Sequence, residues 1–434
     1  MAIFDRSALN PGVAPREVFA WAMYDFANSG YTTVVLTAVF NAYFVGVVAG
    51  NASWATLAWT LALALSNALV LFSAPAIGAY ADAHAAKKRL LLLSTVGCVV
   101  ATCALGFAQP GTIVLAIVAV VASNYFFSVG EGLVAAFLPE LARQKSIGKV
   151  SGWGWSFGYF GGMLTLGICL ALVLSAQAAG RPASQFVPWT MLVTAAVFAL
   201  AAIPTFMLLR ERAASQSRKT LRHGRTAFER LRHTWHESGR FRDFRRFLMC
   251  GAAYQAGISV VIALAAIYAE QAMGFRQTQT MMLVFLVNIA SAAGAFLFGY
   301  WQDRIGHRRA LTITLFGWLL MVGLAGIGRS VELFWLAAAV AGLCMGSSQS
   351  CGRAIVGLMA PSDRLAEFYG LWTFAVRLAA IIGPVTYGLV TWVTNGNHRL
   401  AILVTGLFFV AALLILRGID MSRAEYAAAQ AGAS

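Results

Sequence analysis

Charge is scarce in this chain. Only 11% of its 434 residues are Asp, Glu, Lys or Arg, where a soluble domain carries about 25%. Cysteine is sparse too: the six (Cys98, Cys103, Cys169, Cys250, Cys344, Cys351) all fall within apolar runs. There is no Cys-x-x-Cys and no Cys/His cluster, so no metal site or disulfide framework is expected, and the cysteines are expected to pack as small residues. His-Glu-x-x-His, Gly-x-Ser-x-Gly and a Gly-rich phosphate loop ending in Lys are all missing, which argues against an enzyme, an ATP-driven machine or a bound cofactor. The six His are expected in tails or loops. Short alternating segments, the mark of a membrane β-barrel, are missing as well.

What the chain has instead is apolar length. Hydrophobic residues make up 59% of it, in runs long enough to cross a hydrocarbon core as helices of about 20 residues. Spans are expected near 18–48, 54–80, 89–108, 111–137, 151–176 and 188–209. A second set is expected near 247–269, 280–301, 309–328, 332–358, 367–393 and 398–417. The fold class is therefore an all-α membrane protein with twelve transmembrane helices. Pro75, Pro204 and Pro384 inside spans are tolerable because neighbouring helices re-satisfy the freed backbone.

The net charge of +15 is distributed as a membrane protein's would be. Lys and Arg crowd the two tails, the 2–3, 4–5 and 8–9 loops and, above all, the stretch from Arg210 to Arg246; the alternate loops hold only Arg181, Arg276, Arg329 and Arg399. The positive-inside rule places both termini and the long middle loop in the cytoplasm. Basic residues there set orientation and attract anionic lipid, and nucleic acid is not an expected partner. The expected organisation is a cytoplasmic tail over 1–17, a six-helix bundle over 18–209, a basic linker over 210–246, a second bundle over 247–417 and a tail over 418–434. Within the linker, Phe228, Leu231 and Trp235 fall at helical spacing, as in a helix lying on headgroups.

The two halves repeat. Aligning "SNALVLFSAPAIGAYADAHAAKKR" with "VNIASAAGAFLFGYWQDRIGHRR" sets Asn67, Gly78 and Asp82 on Asn288, Gly299 and Asp303. One residue of slippage brings Lys88 and Arg89 onto Arg308 and Arg309. Pro139 falls on Pro361, and in that register Glu131 falls on Arg353. Transporters are commonly built from such repeats, with the ligand site near the midplane.

"GYWQDRIGHRR" resembles the Gly-x-x-x-Asp-Arg-x-Gly-x-Arg-Arg loop of the major facilitator superfamily, here Gly299, Asp303, Arg304, Gly306, Arg308 and Arg309. "GAYADAHAAKKR" occupies the equivalent place with Gly78, Asp82, Lys88 and Arg89, although Ala83 replaces the Arg and no Gly follows. In that superfamily the loop is a gating latch between halves whose Asp caps a neighbouring helix. More finely, "WAMYDFANSGYTTVVLTAVF", "AAFLPELARQKSIGKVSGWGWSFGYFGG" and "SSQSCGRAIVGLMAPSDRLAEFYGLWTFAVRLAAIIGP" are similar to signatures of the bacterial "unknown major facilitator" family, related to the fungal autophagy-related vacuolar amino-acid effluxers. The resemblance implies two pseudo-symmetric six-helix bundles, a cavity lined by spans 1, 4, 7 and 10, and alternating access. In one respect the chain departs. Where that family often has Tyr-Asn-Asp-Gly, this chain has Tyr254-Gln255-Ala256-Gly257, and a coupling role for that acid does not carry over.

Intramembrane charge costs roughly 2.5–3.5 kcal/mol per residue on insertion scales and marks candidate sites. Asp25, Asn28, Ser29 and Thr32 stand at i, i+3, i+4 and i+7, one polar stripe on span 1. Asn124, Ser128 and Glu131 form another on span 4; Gln349 and Arg353 stand at i, i+4 on span 10, and Thr373 and Arg377 on span 11. Tyr254 and Gln255 are further candidates. Asn67 and Asn288 are expected as interhelical hydrogen-bond glue, and Glu140 and Glu367 as interface residues. Two acids in one half could face two arginines in the other, a pairing that an amino acid or another zwitterion could compete for. The expected function is secondary transport of a small polar solute across the cytoplasmic membrane by a monomer, with protons carried by Glu131 or Asp25. A larger or anionic solute, or a non-transporting receptor, are the rivals.

Overall fold

The structure is a computed structural model that describes residues 6–143, 147–212, 241–360 and 365–432. The proposed linker helix with Phe228, Leu231 and Trp235, and Glu367's side chain, lie outside the described residues. Among the described residues, twelve helices are long and apolar enough to cross a membrane. They are span 1 (Pro15–Val48), span 2 (Ala55–His84), span 3 (Lys87–Leu105), span 4 (Ile113–Ala135), span 5 (Ile147–Ala178) and span 6 (Ala183–Leu208). Span 7 (Arg242–Met273), span 8 (Gln277–Ile305), span 9 (His307–Ile327), span 10 (Val331–Met359), span 11 (Leu365–Val393) and span 12 (His398–Arg417) follow. Among the described residues no strand forms; one isolated bridge joins Leu9 to Ala142.

The helix ends follow local chemistry. Pro15 opens span 1, and Glu17 folds back to accept from the Ala14 amide at 3.2 Å. Ser330 and Asn397 accept from the Leu333 and Leu400 amides at the starts of spans 10 and 12. Gly274, at φ 70°, closes span 7 in the left-handed conformation that glycine adopts without a Cβ clash. Span 1 is less regular than expected. It widens into π-helix over Thr32–Ala38 and Phe44–Val48, with a break at Val39. The α-helical stripe of Asp25, Asn28 and Ser29 therefore stops short of Thr32, whose turn is wider. Single π turns of this kind are frequent at functional sites.

The chain divides into two compact units: Met1–Ala55 with Leu65–Gly224, and Thr56–Ala64 with Arg225–Ser434. In the first, span 1 packs on spans 5 and 6, and span 3 on spans 4 and 6. In the second, span 7 packs on spans 11 and 12, and span 9 on spans 10 and 12, so the pairing repeats. The start of span 2 belongs to the second unit, where Trp59 Nε1 donates to the Ala263 carbonyl at 3.3 Å. Span 7 begins earlier than the expected 247, because Arg242 and Asp243 form its first turn. The C-terminal tail is no loose end either: Met421–Gly432 is a helix.

Charged residues fasten one end of each unit. In the first, Arg212 donates to both oxygens of the buried Glu17 at 2.8 Å. Glu211 accepts from the Lys87 and Lys88 amides at 2.8 and 3.2 Å, capping span 3. Glu140, expected as a plain interface residue, pairs with Lys87 at 3.1 Å and accepts from the Arg212 amide. In the second unit the buried Asp243 accepts from Arg423 at 2.6 and 2.7 Å. Hydrogen bonding and charge from Asp243 hold the Arg423 guanidinium above its ordinary value. Each clasp thus joins the first span of a unit to the segment following its last.

Candidate functional site

The polar stripe of span 1 lies on a glycine seam of span 5. A Cβ at Gly154 would collide with Asp25 Oδ2 and would sit 2.8 Å from the Trp21 ring. One at Gly158 would lie 2.7 Å from Ser29 Oγ, and one at Gly162 2.7 Å from Thr33 Oγ1. At Gly161 it would meet the Phe26 backbone itself. Small residues at three- and four-residue spacing let two helices approach this closely in lipid, where close van der Waals packing drives association. The spacing was legible in "GWGWSFGYFGG" but was not among the expectations. Asp25 and Ser29 are half-buried in this seam. Asn28 is 6% exposed, and its Oδ1 has no hydrogen-bond partner among the described residues.

Glu131 is half-buried on span 4, next to Gly130, which lies directly beneath the Tyr24 hydroxyl. That hydroxyl is 3.1 Å from Thr95 Oγ1, and Trp21 Nε1 donates to the Val134 carbonyl at 2.9 Å. Span 1 therefore flanks Glu131 on span 4, bonding to the backbone at Val134 and packing closely on Gly130. Tyr24 and Trp21 had no place among the expected site residues, because in sequence an aromatic in an apolar run is indistinguishable from core. Asn124 Nδ2 donates to Ser66 Oγ at 3.0 Å, joining spans 4 and 2. Asn288, expected to join helices, donates to Val284, one turn back on its own helix, at 2.9 Å and to no other helix among the described residues.

In the second unit Gln255 and Gln349 come together, with Nε2 of Gln255 3.1 Å from Oε1 of Gln349. Tyr254 is fully buried over Gly352 and packs against Trp372 with ring centroids 6.3 Å apart; its hydroxyl has no hydrogen-bond partner among the described residues. Arg377 is half-buried on span 11. The side chain of Arg353 lies outside the described residues, on the helix turn after Gln349. His398 is not in a loop: it is buried in the first turn of span 12, 3.0 Å from the Tyr387 hydroxyl.

These approaches expose the repeat atom by atom. Tyr24 over Gly130 corresponds to Tyr254 over Gly352, and Gly161 against Phe26 to Gly383 against Ala256. Gly130 and Gly352 keep the register of Pro139 and Pro361, as do Gly161 and Gly383. Spans 1 and 7 are offset by a longer interval, which makes Gln255 the counterpart of Asp25 in the repeat. The first unit thus carries Asp25 and Glu131 at the positions where the second carries Gln255 and Arg353.

Two cations of the latch loops bond within their own units. Lys88 Nζ donates to the Leu209 carbonyl at 2.7 Å, and Arg308 to the Arg417 carbonyl at 3.0 Å. Each cation meets the carbonyl end of the last span of its unit, where the helix dipole favours it. Arg89, Arg304 and Arg309 are exposed, Gly78 faces open space, and Gly306, at φ 88°, turns the chain between spans 8 and 9. The side chains of Asp82 and Asp303, and the surroundings of Gly299, lie outside the described residues.

Twelve membrane-length helices in two sets that repeat their packing define a transporter of the major facilitator fold. Solved structures agree at the level of fold. The nucleoside transporter NupG matches with a TM-score of 0.65 at 15% identity over 93% of this chain and 97% of that one. A D-xylose-proton symporter matches with 0.68 at 15% identity over 94% and 99%. The chain belongs to the Atg22-like family, described as "Vacuole effluxer Atg22 like", which matches residues 40–429. An uncharacterized MFS-type transporter, YxiO, of Bacillus subtilis (strain 168) is 25% identical over 407 residues, 92% of this chain and 93% of that protein. Autophagy-related protein 22-1 of Emericella nidulans is 23% identical over 264 residues, 56% of this chain and 45% of that protein. The match spans about half the length of such fungal relatives.

Proposed function

We propose that this transporter moves an amino acid or a related zwitterion across the cytoplasmic membrane by alternating access, with both termini in the cytoplasm, and that protons drive it. The reading is supported chiefly by one observation: in the shared register, Glu131 of one half holds the position that Arg353 holds in the other, so equivalent places carry opposite charges. A zwitterion offers each sign a partner. Arg377 and Arg353 suit a carboxylate, whose planar oxygens a guanidinium can hold bidentately. Asp25, with Asn28 and Ser29 beside it, suits an ammonium. Tyr254, Gln255 and Gln349 supply neutral hydrogen-bonding groups. Glu131 carries the proton, since a carboxylate inside a membrane protein is readily neutralised. The family's description as "Vacuole effluxer Atg22 like" adds weight to a solute of metabolic size. Asp303 and Asp82 gate the change of state.

The test is a thermal-shift screen of the purified protein with amino acids, di- and tripeptides, sugars, nucleosides, organic anions and iron chelators at two pH values. A ligand that binds the folded state raises the melting point by mass action. Stabilisation by zwitterions that Arg377→Ala or Asp25→Asn abolishes supports the reading. Stabilisation by bulky anions alone would replace it with an anion transporter. Tight binding with no flux in proteoliposomes would make the chain a receptor.

A further inference from the structure

The last turn of span 7 holds an acid that none of the roles above uses. Glu270 lies roughly 22 Å along the helix from Gln255, at 1.5 Å per residue. It is at the end of the unit opposite Arg242 and Arg246. Its Oε1 is buried and has no hydrogen-bond partner among the described residues. Thr280, fully buried in the first turn of span 8, has its hydroxyl beside the carboxylate and 3.4 Å from the Arg276 carbonyl. Gln277, three residues earlier in the same turn, has a buried Nε2 that also lacks an acceptor among the described residues.

Among the described residues no cation compensates this carboxylate. On span 12, Arg399 is occupied by the Gly328 carbonyl and Met273 Sδ, at 2.7 and 3.7 Å, and His398 by the Tyr387 hydroxyl of span 11. Arg276, before span 8, and Arg329 and Glu332, at the start of span 10, are exposed. Tyr268 of span 7 itself donates to the Ala325 carbonyl. A buried carboxylate with neither a cation nor a full set of donors is relieved most simply by taking a proton.

We propose that Glu270 is a proton-binding site, a carboxylate that takes one proton onto Oε1 and releases it again at the face of the membrane opposite the Arg242–Arg246 end. The O–H bond forms with a proton from water at that face and breaks by returning it there. The carboxyl loses its charge on uptake and regains it on release. Span 7 thereby carries a proton-binding carboxylate although Tyr254-Gln255-Ala256-Gly257 has no acid. Proton binding stands on the surroundings of Glu270; its use in coupling rests on the transport reading above.

Infrared difference spectra of the purified protein in nanodiscs, taken between about pH 5 and about pH 9, test this directly, because a carboxylic acid has a C=O stretch that the carboxylate lacks. Glu270→Gln is expected to remove one titrating C=O component, and Glu270→Asp to keep it at a shifted frequency. Thr280→Val removes a donor that favours the ionised form, so it should move the midpoint of that component to higher pH. Glu131→Gln should leave the component in place, so that failure of proton carriage at Glu131 and failure here are told apart. An unchanged spectrum in Glu270→Gln overturns the proposal. If that variant does not fold, an unmoved midpoint in Thr280→Val overturns it.

Discussion

Replacing Gly161 with alanine puts one methyl group into the tightest part of the span 1–span 5 seam. The new Cβ would lie 2.6 Å from the Phe26 carbonyl carbon and 2.7 Å from its Cα, besides colliding with its oxygen. Carbon atoms rest about 3.5–4.0 Å apart, so the helices must part by roughly 1 Å. Backbone cannot swing aside as a side chain can. Overpacking of this kind costs about 1–3 kcal/mol, offset in part by alanine's better helix propensity, about 1 kcal/mol. Gly167, on the same helix, has nothing within 4 Å of the place a Cβ would take, so Gly167→Ala collects only the propensity gain. The two variants should therefore differ by about 1–3 kcal/mol in opposite senses about the parent. Gly383→Ala, whose Cβ would lie 2.7 Å from the Ala256 carbonyl carbon and 3.0 Å from its Cα, should behave as Gly161→Ala does. The readout is the apparent melting temperature in detergent, followed by the fluorescence of the twelve tryptophans. If Gly161→Ala melts with Gly167→Ala, the seam is not held by contact and the placing of Asp25 against Gly154 loses its physical basis.

Three other outcomes are expected. Asp243→Asn weakens the bidentate clasp with Arg423 and should speed protease cleavage or amide exchange across Met421–Gly432; unchanged protection there would mean that the C-terminal helix is held by its apolar face alone. Lys88→Met and Arg308→Met remove the cations at the carbonyl ends of spans 6 and 12, worth about 0.3–1 kcal/mol each, and should raise exchange in the last turn of span 6 and of span 12 respectively; equal exchange in both variants and the parent argues against the caps. Glu131→Gln should abolish flux driven by a pH gradient while leaving ligand binding largely intact, and undiminished driven flux would remove Glu131 from the proton path.

Much of the architecture follows from local sequence. A run of about 20 apolar residues has one stable form in lipid, a helix whose backbone bonds are internal, so the twelve spans could be counted and bounded without knowing a single contact. The repeat around Asp82 and Asp303 was legible because glycine, acid and basic cluster keep their order. The Tyr24–Gly130 and Tyr254–Gly352 approaches were not, since spans 1 and 7 are offset by a longer interval than spans 4 and 10, and a buried tyrosine's partner is nowhere near it in sequence.

By itself the sequence determined the helices, their repeat and the short list of polar groups inside them: Asp25, Asn28, Ser29 and Glu131 in one half, Gln255, Gln349, Arg353 and Arg377 in the other. Tertiary structure alone decided which groups meet. It set Asp25 against Gly154, joined Gln255 to Gln349, withdrew Tyr254 into the core, and gave Glu17 and Asp243 their arginines. It also left one carboxylate oxygen of Glu270 buried without a partner among the described residues, though nothing in its own stretch of chain marks it. The physical reason is range. Helix formation in lipid is settled by backbone hydrogen bonds four residues apart, whereas the neighbours of a side chain are settled by close packing between segments far apart in the chain, as Trp21 and Val134 are.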